Sequence, residues 1–301
     1  NNAGALSTVS ITFTSNYATT SFAGGTAAGG AIAVGGAGSS VYIGTGDSTA
    51  TSVTVTFTSN YATASGSTGA AVGGAIAVTA SGSHLYIGTN SAVVYISFSS
   101  NYATATGLGG EADGGAIYLA SASDATISGV FFTGNIAEVS GSTGIAKGGA
   151  IYSAGGAITG GLANISITHG YFDTNRAYAH SNSTAAALSL EADGGAIYLG
   201  ASGVLYIDYT SASGISGTTT IFDFNYANAV ANASAGAGDY DAAAYANGGA
   251  VYALSGTTIV IASSSFTANY PSASDSLNAT VGTRTATASD KGGAIYVKST
   301  A

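Results

Sequence analysis

The sequence predicts an all-β protein: a right-handed parallel β-helix (solenoid) of about seven coils, with three short strands per coil. Three observations lead there. Seven copies of Phe-x-x-Asn, starting at Phe13, Phe57, Phe98, Phe132, Phe172, Phe222 and Phe266, alternate with seven copies of Gly-Gly-Ala followed by Ile or Val, starting at Gly29, Gly73, Gly114, Gly148, Gly194, Gly248 and Gly292. Like-to-like spacing is mostly 40 to 46 residues, with one short interval of 34 in each series and one long interval in each, 50 and 54. Apolar residues around the motifs recur at period two, the mark of a strand with one buried face. A fixed period of strand-like units signals a repeat architecture. Strands repeated in one order and direction wind into coils, and parallel crossovers prefer the right hand. One domain over residues 1–301 is expected, with no separate linker or cap.

In the first strand Val9, Ile11 and Phe13 share a face, as do Val53, Val55 and Phe57, and Val94, Ile96 and Phe98. The chain is then expected to bend at Asn16, Asn60, Asn101, Asn135, Asn175, Asn225 and Asn269, because asparagine tolerates left-handed backbone angles and bonds neighbouring backbone groups. Stacked coils place these side chains in one column, a structural ladder like the amide ladders of cross-β assemblies. The Gly-Gly pair opens a second strand, with Ile32 and Val34, Ile117 and Leu119, or Ile295 and Val297 facing inward. The residue between them points outward: Ala33 and Ala77, then Tyr118, Tyr152, Tyr198, Tyr252 and Tyr296. These tyrosines are expected to form a surface contact column suited to flat sugars or a neighbouring chain; strand propensity alone is the competing explanation. A third strand reads at Val41–Ile43, Leu85–Ile87, Leu205–Ile207 and Ile259–Ile261, and is degenerate near Ile127 and Ile158.

From the motif Asn to the next Gly-Gly is 13 residues in the first four coils, then 19, 23 and 23. One loop therefore grows at one corner, over 176–193, 226–247 and 270–291, and insertions gathered on one face of a solenoid often bind. Both ends read as open strand templates without a polar cap. Either the chain is an excised piece of a longer solenoid, or copies stack head to tail into a filament. The near-whole number of repeats favours the filament.

Composition narrows the function classes. Charged residues are 6%, Lys plus Arg number five, and the net charge is −9. That balance cannot build the phosphate-tracking stripe of a nucleic-acid binder. A hydrophobic content of 46% argues against disorder. Mean hydropathy is +0.35, and Ser48 to Gly110 holds no Asp, Glu, Lys or Arg. Yet Gly, Ser, Thr and Asn interrupt every apolar run before the ~18 residues a spanning helix needs. A transmembrane barrel would require antiparallel hairpins and gives no reason for identical motifs in identical order. Cysteine is absent, which removes disulfides and thiolate metal sites. Methionine is absent too and Asn1 to Leu6 does not read as a signal peptide, so a mature or excised segment is expected.

Paired Phe-x-x-Asn and Gly-Gly-Ala-Ile/Val repeats resemble those of the chlamydial polymorphic outer membrane proteins and related bacterial β-helix surface proteins. The likeness covers essentially the whole chain. It implies a secreted passenger region at the cell surface, used in adhesion or surface structure, with glycans or a neighbouring cell as partners.

The chemistry-bearing residues are few. Before each Gly-Gly stand Ala28, Val72, Asp113, Lys147, Asp193, Asn247 and Lys291. Stacking sets Lys147 between Asp113 and Asp193, as a charged binding stripe or as surface ion pairs worth ~0–1 kcal/mol each; that magnitude favours the pairs. Asp173 and Asp223 both follow the motif Phe and should stack with like charge. They form a candidate calcium site, since Ca²⁺ takes several carboxylate and carbonyl oxygens, with Arg176 as the alternative neutraliser and Asp208 a further carboxylate. Asp239 and Asp241 read as a solvated loop or a second such candidate. No other cofactor is expected. Polysaccharide binding or cleavage, by a lyase or hydrolase, is the alternative function. Hydrolysis wants two flanking carboxylates, whereas His84, His169 and His180 form no spacing motif and Arg176 and Arg284 are the only arginines, so catalysis is not expected. Glycosylation sequons occur at Asn164, Asn182, Asn232 and Asn278, at a frequency that chance supplies in so Ser/Thr-rich a chain.

Overall fold

The computed structural model describes residues 8–44, 52–88, 94–157, 164–183, 187–210, 214–215, 219–237, 240–281 and 284–298. Four sheets of seven strands and one of six run the length of the molecule, each strand paired in parallel with its equivalent in the next coil. The fold is a parallel β-helix of seven coils. The first coil contains β1 (Thr8–Thr14), β2 (Tyr17–Thr20), β3 (Thr26–Ala28), β4 (Ile32–Val34) and β5 (Ser40–Ile43). Five strands per coil thus replace the expected three.

The two additional strands are the stretch that reads as a loop. β2 and β3 leave the main coil and return to it, and their equivalents stack into two facing sheets that form a lateral arm. The expected long loops are also strands: Arg176–Ser183 with Ala187–Asp193, Tyr226–Ala237 with Tyr240–Asn247, and Tyr270–Val281 with Arg284–Lys291. The arm has its own core, almost entirely alanine: Ala62, Ala64, Ala103, Ala105, Ala177, Ala179, Ala227 and Ala229 against Ala71, Ala112, Ala146, Ala192, Ala244 and Ala246. Alanine is depleted in strands, which masks the period-two signal. The small side chains permit close approach: a Cβ on Gly69 would lie 3.1 Å from the Ala64 Cβ, and one on Gly110 would lie 2.9 Å from that of Ala105.

The larger core lies between the sheets containing β1, β4 and β5. It is filled by the motif Phe column and by Ile, Leu and Val, including Ile76, Leu85, Ile96, Ile117, Leu119, Ile167 and Ile197. All seven motif phenylalanines are in register. Their rings stack at centroid separations of 4.6 to 5.0 Å with interplanar angles of 8° or less, matching the ~4.8 Å between neighbouring strands. The third strand is present where the sequence is degenerate, at Asp124–Ser128 and Ile165–Thr168; Ile158 lies outside the described residues.

The two motifs close the neck between the cores. Each asparagine donates from Nδ2 to the Oδ1 of the next, at 2.8 to 2.9 Å, in an unbroken ladder from Asn16 to Asn269. The same Oδ1 accepts the backbone N–H of the preceding asparagine, and from Asn60 onward Nδ2 also donates to the carbonyl of the previous coil's motif Phe. The left-handed residue is not the asparagine but the one before it: Ser15, Ser59, Ser100, Gly134, Thr174, Phe224 and Ala268 all have φ between 47° and 61°. The asparagine acts through its side chain instead. Opposite it, Gly114 adopts φ +68°, and a Cβ on Gly115 would stand 2.1 Å from the Gly149 carbonyl oxygen and 2.5 Å from the Ile136 nitrogen. Only glycine lets the two corners meet backbone to backbone.

No helix occurs among the described residues, and none is long and apolar enough to cross a membrane. One small antiparallel pair, Tyr209–Thr210 with Gly214–Ile215, interrupts the parallel pattern.

Candidate functional site

The outward face of the Gly-Gly sheet and the outward face of the second arm sheet meet along a groove. The sheet register stacks Tyr118, Tyr152, Tyr198, Tyr252 and Tyr296 on one side. On the other it stacks Glu111, Ile145, Glu191, Tyr245 and Ser289. At the bottom run Asp113, Lys147, Asp193, Asn247 and Lys291.

The tyrosines point away from the main core, but the expected exposed column is corrected. Tyr198 and Tyr252 are buried, at 6% and 1% exposure, and Tyr118, Tyr152 and Tyr296 are half-buried. The arm walls them in, which the sequence conceals because the arm reads as a loop. The rings stack tightly at first, 5.1 Å and 5° between Tyr118 and Tyr152, and open to 5.7 Å and 32° between Tyr252 and Tyr296. Burial, followed by the nearby carboxylates, raises the hydroxyl pKa of Tyr118, and burial raises Tyr152, Tyr198 and Tyr252 as well.

The Asp113–Lys147–Asp193 stack forms in register, but not as surface ion pairs: all three residues are buried. The Lys147 ammonium lies 3.0 Å from Glu111 Oε2 and 3.4 Å from Asp113 Oδ1, the first a hydrogen bond and the second an electrostatic contact. It also sits 5.6 Å and 5.9 Å from the ring centroids of Tyr152 and Tyr198. Asn247 Nδ2 donates to Asp193 Oδ1 at 2.8 Å. Burial pushes the Asp113 carboxyl up to about 6, against the opposing pull of Lys147. Burial and Glu191 likewise raise Asp193. Burial by itself would lower the Lys147 ammonium, but Asp113, Tyr152 and Glu111 outweigh it and hold the pKa above the ordinary 10.5.

The other sequence-derived candidates are dispersed. Asp173 and Asp223 are direct register partners, and burial together with Asp223 raises the Asp173 pKa. Among the described residues no group of three metal-ligating side chains forms, and no ion pair joins Arg176 to either aspartate. Arg176 instead lies 3.7 Å above the Tyr178 ring. Asp208 is fully buried and structural: it accepts the His169 N–H at 3.1 Å, the Thr220 hydroxyl at 2.9 Å and the Ser264 hydroxyl at 3.0 Å, along with the Thr220 N–H. His84 pairs with Asp124, while His180 lies 3.7 Å from Glu138. Asp239 is outside the described residues, and Asp241 is exposed on the arm.

Asn164 is corrected as a glycosylation site. It is fully buried, its Nδ2 donates to the Gly156 carbonyl at 3.1 Å and its Oδ1 accepts the Val204 N–H at 2.8 Å. Asn232 is half-buried in an arm strand beside Asn182. The side chains of Asn182, Asn278 and Arg284 lie outside what the structure describes.

Sequence reasoning missed a second aromatic column. Tyr17, Tyr61 and Tyr102 follow the motif asparagine and stack outward on the first arm sheet at 5.0 and 5.1 Å, and Tyr226 and Tyr270 resume the column. The recurring Asn-Tyr pair was the available signal.

Fold and site together define a parallel β-helix with a lateral, alanine-packed arm and a tyrosine-lined groove between them. Comparison with family models, with curated proteins and with solved structures finds no match.

Proposed function

We propose that this chain is a structural and adhesive β-helix protein of the cell exterior, not a catalyst, and that it stacks head to tail into a filament or forms part of a longer surface fibre, the first being the reading tested below. The observation that carries the reading is the state of the two end coils. Ile11 belongs to a column whose interior members Val55, Ile96 and Val130 are buried, yet it is 45% exposed, and Val9 beside it is 39% exposed. At the opposite end Ile261 and Val297 are 37% and 50% exposed, beneath Ile207 and Ala253 at 0%. Among the described residues the first and last coils thus present apolar surface and strand edges without a partner, which a further coil, of a longer solenoid or of a second copy, would cover.

The ladder gives the ends opposite polarity. Asn16 Oδ1 has no donor among the described residues, and the Asn269 N–H has no acceptor among them. Head-to-tail stacking joins the two and sets Phe266 beside Phe13. A heterologous contact that does not close on itself grows into a fibre. The cell-surface and adhesive parts of the reading rest on the motif resemblance.

Electron microscopy of the purified chain tests the assembly. Fibres with a repeat of roughly 34 Å, seven rungs at ~4.8 Å, are expected. Gly293 provides a specific control. A Cβ there meets nothing within 4 Å, whereas in earlier coils the same Cβ would strike the next coil's backbone. Gly293→Ala should leave the melting temperature unchanged and abolish fibres. Dispersed rods of wild type at high concentration, or fibres undiminished by Gly293→Ala, would overturn the stacking.

A further inference from the structure

The groove opens into a cleft of about 240 Å³ beside the last two coils, lined by Glu191, Tyr245, Asn247, Tyr252, Lys291, Tyr296 and Lys298. Its origin is visible in the register. Glu191 and Tyr245 fill the arm side of two successive coils, and the next position is Ser289. The small serine leaves the space that a third large side chain would occupy. On the opposite wall the tyrosine stack opens at the same level, where the Tyr252 and Tyr296 rings tilt apart by 32°.

The charges of the cleft are unusual for this chain. It has five Lys plus Arg in 301 residues and a net charge of −9. Lys147 is buried against Glu111 and Asp113, and Arg176 covers Tyr178. Lys291 and Lys298 are exposed and form no ion pair with a described residue, yet both line the same cleft. Glu191 and Asn247 line it with them, so a plain anion would meet a carboxylate as well as two ammonium groups. A ligand carrying a carboxylate for the lysines, hydroxyls for Glu191 and Asn247, and an apolar face for Tyr245 and Tyr296 satisfies every wall. Sites of this kind set a few polar groups among aromatic ones to fix orientation.

The geometry points to a binding subsite for one uronic acid unit of an acidic polysaccharide, held between Tyr245 and Tyr296 with its carboxylate on Lys291 and Lys298. The volume is below the ~300–1,000 Å³ of a drug-sized pocket, so neighbouring sugars of the same polymer extend into solvent. The subsite goes beyond the stacking proposal and is built within one chain, so calorimetry on the dilute protein reads it separately from fibre formation.

Isothermal titration with α-1,4-linked tetragalacturonate, and with the neutral tetragalactose as control, tests it. The wild type should bind the acidic sugar more tightly than the neutral one, and added salt should weaken binding by screening the exposed charges. Lys291→Gln with Lys298→Gln should weaken binding about three- to tenfold, the effect expected of two exposed ionic contacts. The double Arg variant should retain binding, and Tyr296→Ser should reduce it for both sugars. Circular dichroism verifies that each variant keeps the fold. No binding by the wild type, equal affinity for the neutral sugar, or full affinity in the double Gln variant each overturns the assignment.

Discussion

Lys147 is the residue on which the groove's electrostatics turn. It is buried against Glu111 and Asp113 and stacked in register with Asp193, and removing one partner from a buried ionic cluster leaves uncompensated charge. Lys147→Gln should therefore destabilise the protein by about 3–5 kcal/mol, read from denaturant melts. The pH dependence has a definite sign. Asp113 is raised from 3.8 to about 6, so the folded state holds its proton more tightly than the unfolded chain. Stability is then greatest near the lower value and declines as pH rises through the upper one. Asp124, Asp173 and Asp193 shift in the same direction, each chiefly by burial. Melting temperature should fall between pH 4 and pH 7, and Asp113→Asn should flatten the fall. A wild-type melting temperature that climbs over this range would contradict the assignment.

At the scale of elements, the neck decides whether the arm and the main coil can coexist. The chain passes it twice per coil, once at the asparagine and once at the Gly-Gly pair. Gly115→Ala inserts a methyl 2.1 Å from the Gly149 carbonyl oxygen, a contact that only backbone movement relieves. It should cost more than the ~1–3 kcal/mol typical of overpacking, and thermal unfolding measures it. The same substitution at Gly293 meets open space and should cost nothing in the isolated chain. Equal effects at the two positions would show that the neck is not the constraint.

Across the whole molecule, each coil touches only its neighbours, so stability accumulates as a sum of interfaces. Phe132 stacks on Phe98 above and Phe172 below and is fully buried. Among the described residues Phe266 stacks on Phe222 alone. Phe132→Ala should cost about 3–5 kcal/mol and Phe266→Ala clearly less, by chemical denaturation of the unassembled chain. In fibres the difference should shrink, because the next copy supplies the missing neighbour.

The architecture was legible in the residues themselves. Phe-x-x-Asn and Gly-Gly-Ala-Ile/Val recur because a side chain in a stacked coil meets its own equivalent, so one choice that packs well is repeated seven times. That logic named the phenylalanine column, the asparagine ladder, the Asp113–Lys147–Asp193 register and the Asp173–Asp223 pair from sequence alone. The arm was not legible, because alanine facing alanine carries almost no hydrophobic period. Without the arm, the tyrosines from Tyr118 to Tyr296 read as exposed and Lys147 as a surface charge. The left-handed bend fell one residue early for a related reason: the ladder determines which residue must be asparagine, and Ser15 or Phe224 takes the strained angle so that the amide can point inward. Repetition along the coil axis is a local property, written at each position. What lies beside the coil depends on how two distant corners meet at Gly115 and Ile136, and only the tertiary structure decides that.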